Sequence, residues 1–83
     1  MGRTATDILM PDLSTLDYTM EKGMVVEWFK KEGEPVKKGE PLLEIMTAKV
    51  TMEIEAPATG VLARILVLDG DEVPPGTILA VIE

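Results

Sequence analysis

The sequence predicts an all-β fold, a flattened barrel or sandwich made of two pseudo-symmetric four-stranded halves. Three observations carry that prediction. The chain repeats itself once, with residues 23–45 lying over residues 60–82 without a gap at an offset of 37. Glycine and proline punctuate both copies at short intervals. No apolar pattern sustains a 3.6-residue period, whereas several stretches alternate with period two.

Six of the twenty-three aligned positions are identical: Gly23/Gly60, Gly33/Gly70, Val36/Val73, Gly39/Gly76, Leu42/Leu79 and Ile45/Ile82. Glu32/Asp69 and Glu34/Asp71 match in charge. Each copy begins with an aliphatic run, Met24 to Lys31 and Val61 to Leu68, read as an eight-residue strand. Both runs end at an acidic-Gly-acidic turn, Glu32-Gly33-Glu34 and Asp69-Gly70-Asp71, where glycine takes a positive φ without penalty. A second turn follows at Lys38-Gly39 and Pro75-Gly76. Pro75 presets φ at the second turn position and Gly76 supplies positive φ at the third, which defines a type II turn. Prolines 35, 41, 74 and 75 argue against helix throughout these regions. Trp28 aligns with Ile65 and is expected in the core.

Between the copies lies Ile45 to Glu55, read as two strands with a turn near Ala48-Lys49. From Val50 onward Val, Met and Ile alternate with Thr and Glu, the signature of a half-buried strand. Lys49 is thereby placed at a hairpin tip midway between the repeats. Most lysines in turns are simply solvated. This one stands where the repeat breaks, on a hairpin with strongly patterned strands, as an acylable amine requires.

Composition removes other chemistries. The 83 residues make one small domain with a modest core, spanning 1–83, with residues 1–6 expected to be a flexible start. Absence of cysteine and histidine excludes disulfides, thiolate and imidazole catalysis, and cysteine- or histidine-ligated metals. Fifteen acidic against eight basic residues give a net charge of −7, which disfavours nucleic acid and anionic membrane and favours basic protein surfaces. No run approaches the roughly 18 apolar residues of a membrane span, and the start lacks the apolar core of a secretory signal. Lys30, Lys31, Lys37 and Lys38 read as a solvated strand end and turn. Glu53 and Glu55 read as an outward face lending negative field to the lysine region.

An ordered set of fragments then supports a family. Met10-Pro11-Asp12-Leu13-Ser14, Thr19-Met20-Glu21-Lys22-Gly23, Trp28, Gly33-Glu34-Pro35-Val36 and Lys38-Gly39-Glu40-Pro41-Leu42-Leu43-Glu44 precede the lysine. Thr51-Met52-Glu53-Ile54-Glu55-Ala56-Pro57, Gly60 and Val73-Pro74-Pro75-Gly76 follow it. Over nearly its whole length the chain resembles the lipoyl domains of dihydrolipoamide acyltransferase subunits of 2-oxo acid dehydrogenase complexes, of the biotinyl/lipoyl-carrier fold. The resemblance implies a carrier domain, not itself an enzyme, with lipoic acid covalently attached at Lys49. It also implies a parent acyltransferase chain that extends beyond Glu83. The implied partners are a lipoate ligase or lipoyl/octanoyl transferase, the 2-oxo acid decarboxylase, the acyltransferase core and dihydrolipoamide dehydrogenase. The implied location is the bacterial or archaeal cytoplasm or the mitochondrial matrix, the cytoplasm being favoured.

The chain departs from the family pattern in two places. Where the family usually has Glu-Thr-Asp-Lys-Ala, this chain has Met46-Thr47-Ala48-Lys49-Val50, so two carboxylates beside the lysine are missing. The segment Thr15, Leu16, Asp17 and Tyr18 is about three residues longer than the resemblance leads one to expect. By resemblance, Thr15, Leu16, Asp17, Tyr18, Met46, Thr47, Ala48 and Val50 are the candidate partner-recognition residues, and the departures bear on the decarboxylase more than on lipoylation. A biotinyl carrier shares the fold, but such domains set the lysine between methionines, and here the nearest are Met46 and Met52. An unmodified barrel-sandwich hairpin module is the alternative from a different class.

Overall fold

The computed structural model describes residues 5–12 and 22–83, and all regular structure in them is strand. In chain order these are β1 (Thr6–Leu9), β2 (Gly23–Trp28), β3 (Pro35–Val36), β4 (Pro41–Met46), β5 (Thr51–Glu55), β6 (Gly60–Ile65), β7 (Glu72–Val73) and β8 (Ile78–Ile82). They form two antiparallel four-stranded sheets, ordered β1-β8-β6-β3 and β5-β4-β2-β7.

The expected two-fold relation is present, with a refinement. Each sheet takes its short edge strand from the other repeat: β3 pairs with β6, and β7 pairs with β2. The halves are therefore interlocked rather than stacked side by side. The chain crosses between sheets just after Trp28 and Ile65, so the first strands end there rather than at Lys31 and Leu68. The hydrogen bonds of the two crossings correspond one for one. Gly33 N–H donates to Leu62 O and Gly70 N–H to Val25 O, both at 2.7 Å. Trp28 N–H donates to the Asp69 carboxylate at 3.1 Å, and Ile65 N–H to the Glu32 carboxylate at 2.8 Å.

The four tight turns share one design. Gly33, Gly39, Gly70 and Gly76 have φ between 87° and 91°, at the third position of turns closed from residue four to residue one. In three of them the fourth side chain reaches back to the first backbone amide: Glu34 to Lys31, Glu40 to Lys37 and Asp71 to Leu68. Pro74 has no N–H to offer, so there the Thr77 hydroxyl donates to the Pro74 carbonyl instead, at 2.7 Å. The Lys37 amide, with the Lys30 ammonium 3.2 Å from its carboxylate, holds Glu40 below the ordinary carboxylate pKa.

The repeat also orders the core. Val25 and Leu62, Val36 and Val73, Leu42 and Leu79, and Ile45 and Ile82 are buried as equivalent pairs. Large-for-small exchange keeps the volume even: Leu43 corresponds to Ala80, and Ala56 occupies the place that Met10 takes on the other side. That last match exposes a second, shorter repeat that the offset of 37 hides. β5 pairs with β4 as β1 pairs with β8, Ile54 standing opposite Leu43 and Ile8 opposite Ala80. Trp28 rests on the core rather than within it, half-buried, its indole N–H donating to Val67 O at 3.0 Å. Thr6, expected in the flexible start, pairs with Ile82 as the first residue of β1.

Candidate functional site

β4 and β5 form a hairpin whose last strand pair is Met46 and Thr51, and residues 47–50 make the turn. Thr47 N–H donates to Val50 O at 2.8 Å. The reciprocal bond expected of a plain two-residue hairpin is replaced by a side chain: the Thr47 hydroxyl accepts both the Lys49 and Val50 amides, each at 3.2 Å. Thr47 is 7% exposed, the one buried polar residue among those described. Val50 is half-buried and packs against the core. Turned inward in this way, these two residues hold Ala48 and Lys49 outward, and both are exposed. No non-glycine residue there needs a positive φ, so the tip is built without backbone strain.

The candidate residues thus divide by task. Lys49 and Ala48 are presented to solvent. Thr47 and Val50 support the tip from within, the Thr47 hydroxyl being engaged by two backbone amides of the turn. Met46 is half-buried and lines a groove of about 210 Å³ beside the tip, together with Lys22, Gly23, Met24, Thr47, Ala48 and Glu72. Thr15, Leu16, Asp17 and Tyr18 lie outside the described residues. Sequence reading did not anticipate Met24 and Glu72 beside the tip. Glu72 arrives there because β7 crosses to the other sheet, where Met24 stands opposite both Glu72 and Met46. No local signal encodes that juxtaposition.

The sheet behind the lysine is strongly acidic on its outer face. Glu27, Glu44 and Glu53 lie side by side across β2, β4 and β5. Arg64, Val81 and Asp7 occupy the equivalent row of the other sheet, a neutral set. The fold therefore does not require the three carboxylates. Glu53 and Glu55 are exposed, as expected, and the negative field extends further across the sheet than they alone indicated. Among the described residues no group of acidic side chains converges as a metal site would. A larger hollow of about 630 Å³, lined by Trp28, Lys31, Glu32, Ile65, Leu68 and Asp69 among others, lies at the opposite end of β2 from the tip. Its two carboxylates are engaged by the Ile65 and Trp28 amides, so it is a by-product of the crossings.

Comparison with known proteins agrees with this arrangement. A family model described as "biotin-requiring enzyme", covering biotinyl and lipoyl domains, matches residues 6–82. The chain is 46% identical over 78 residues to the dihydrolipoyllysine-residue acetyltransferase component of the acetoin cleaving system of Bacillus subtilis, covering 94% of this chain and 19% of that protein. It is 48% identical over 71 residues to the corresponding component of the mitochondrial pyruvate dehydrogenase complex of Caenorhabditis elegans, covering 84% of this chain and 14% of that protein. The chain thus spans less than a fifth of these relatives. The lipoyl domain of the Azotobacter vinelandii 2-oxoglutarate dehydrogenase complex superposes with a TM-score of 0.73 at 38% identity, covering 93% of this chain and 94% of that one. A region of the Kluyveromyces lactis urea carboxylase superposes with a TM-score of 0.78 at 23% identity, a likeness of fold alone. The chain belongs to the biotinyl/lipoyl-carrier family, and within it to the lipoyl domains.

Proposed function

We propose that Lys49 carries lipoic acid in amide linkage and serves as the swinging arm of a longer dihydrolipoamide acyltransferase. The observation that carries this reading is the tip itself: an exposed lysine, in a domain of this family, on a turn closed from inside by the Thr47 hydroxyl. When bound, the lipoyl group supplies a dithiolane that takes up an acyl group and electrons and gives them up again. The protein's own residues do the rest. Thr47 and Val50 fix the backbone from which the arm departs, so the lysine is offered to a modifying enzyme in one orientation. Amide formation removes the Lys49 charge and leaves the neighbouring face more negative still. A lipoate ligase or lipoyl/octanoyl transferase is the modifying partner in this reading. The decarboxylase, the acyltransferase core and dihydrolipoamide dehydrogenase are the sites visited, with tethering keeping the intermediate at high local concentration.

The test is mass spectrometry of the domain co-expressed with lipoate ligase or, separately, with biotin ligase. The lipoyl increment is expected on the wild type and absent from Lys49→Arg, which keeps the charge but not the acylable amine. A biotin increment in its place, or a lipoyl group on another lysine, overturns the assignment.

A further inference from the structure

The two departures from the family pattern at the tip, Met46 and Ala48, do not point in unrelated directions. Both line the shallow groove beside Lys49, and Met24 and Gly23 complete its apolar part. Met24 and Met46 are cross-strand neighbours, both half-buried. Lys22 and Glu72 stand on the rim as an exposed ion pair with an N–O distance of 2.9 Å. A hollow with methionine walls and a charged rim suits a small, soft, sulfur-containing apolar group. Methionine is flexible and polarisable, and adapts to such a group better than a branched side chain does.

We propose that this groove is a resting seat for the distal end of the lipoyl arm. The inference rests on Lys49 being the attachment point. Ala48 is the residue next to Lys49 and Met46 is three before it, so an arm built on lysine and an eight-carbon acid is long enough to fold back over them. The tether makes the encounter intramolecular, and a shallow groove that would hold a free ligand only feebly is then sufficient. Carboxylates at 46 and 48, which the resemblance leads one to expect, would put charge into the same hollow and disfavour an apolar ring there. The chain therefore exchanges tip charge for a place where the ring docks between visits to its partners. The seat is reversible, since its walls are only half-buried and the arm must leave to react.

The experiment is methyl NMR on the domain labelled at methionine, before and after lipoylation, with mass spectrometry establishing one lipoyl group on Lys49. The methyl resonances of Met24 and Met46 are expected to shift and to show cross-relaxation with the dithiolane protons. Met10, buried in the core, and Met52, near the tip but outside the groove, are the internal controls and stay in place. In lipoylated Met46→Glu the shift at Met24 and the cross-relaxation are lost, and in Ala48→Asp they are reduced. A domain that carries the lipoyl increment without selective change at Met24 and Met46 overturns the seat and leaves the carrier reading standing. A domain that never gains the increment overturns both.

Discussion

The backbone N–H of Trp28 donates to the carboxylate of Asp69 across a separation of 41 residues, at 3.1 Å. Its symmetry-related counterpart joins Ile65 to Glu32 at 2.8 Å, so each sheet crossing is tied down by an acidic side chain from the other repeat. The acidic residues before Gly33 and Gly70 are the acceptors of these two amides. Asp69→Ala and Glu32→Ala should each lower stability by about 1 kcal/mol, the usual net value of an intramolecular hydrogen bond, since solvent screens the acceptor's charge at these exposed sites. Asp69→Asn and Glu32→Gln keep an acceptor and should recover more than half of the loss. Urea denaturation of the four variants checks this; amides no better than alanine would show that charge, not the bond, is what matters.

Gly23 and Gly60 are equivalent, but they should not tolerate a methyl group equally. A Cβ on Gly60 would stand 2.5 Å from the backbone oxygen of Glu83 and 2.9 Å from a methyl of Ile82. A Cβ on Gly23 would run chiefly into the end of the Met10 side chain, which can rotate away, and would sit 3.3 Å from Met46 O. Gly60→Ala should therefore cost on the order of 2–3 kcal/mol by forcing backbone apart, and Gly23→Ala less. Gly33→Ala, in open space at φ 89°, should cost about 1 kcal/mol from backbone strain alone. Thermal unfolding of the three variants should rank them with Gly60→Ala lowest.

The Glu27, Glu44 and Glu53 row places like charges directly opposite one another on neighbouring strands, which is destabilising. Glu44→Val copies the arrangement that Val81 gives the other sheet. It should raise stability by a few tenths to about 1 kcal/mol at low salt, and the gain should shrink as ionic strength rises. Melting temperatures of wild type and variant at low and high salt provide the check. A gain that salt does not change would assign it to packing instead.

Thr47→Val removes the acceptor for two amides while keeping the shape of the side chain. The Lys49 and Val50 amides should then exchange with solvent faster, and lipoylation should slow because the tip no longer holds one geometry. A stability loss of about 1–2 kcal/mol accompanies it, from a buried hydroxyl position left apolar and two amides without their partner. Thr47→Ser restores the acceptor and should behave as wild type in both measurements. If the valine variant is lipoylated at the wild-type rate, the hydroxyl is not what prepares the tip.

The sequence alone determined the turns and the hairpin tip, which depend on short stretches of chain. The four glycine turns were legible because a positive φ at the third turn position is a local demand that glycine meets without penalty. Lys49 at the tip was legible because a strand runs up to Met46 and an alternating strand runs on from Val50, with a reversal between them. The repeat of Gly33/Gly70 and Leu42/Leu79 announced the two-fold relation, and the resemblance named the family.

Only the tertiary structure decided which strands share a sheet. A two-residue strand such as β3 or β7 carries too little pattern to choose a partner, and packing of the whole core sends each to the opposite sheet. That exchange brings Glu72 beside Met24 and Met46, and so creates the groove. It likewise decided that Glu27 joins Glu44 and Glu53, since that depends on register between separate strands, and that Thr47 turns inward, since that depends on the core it meets. Turn chemistry acts within four residues and can be read along the chain. Register and sheet partnership arise from burial across the molecule and become visible only when it is folded.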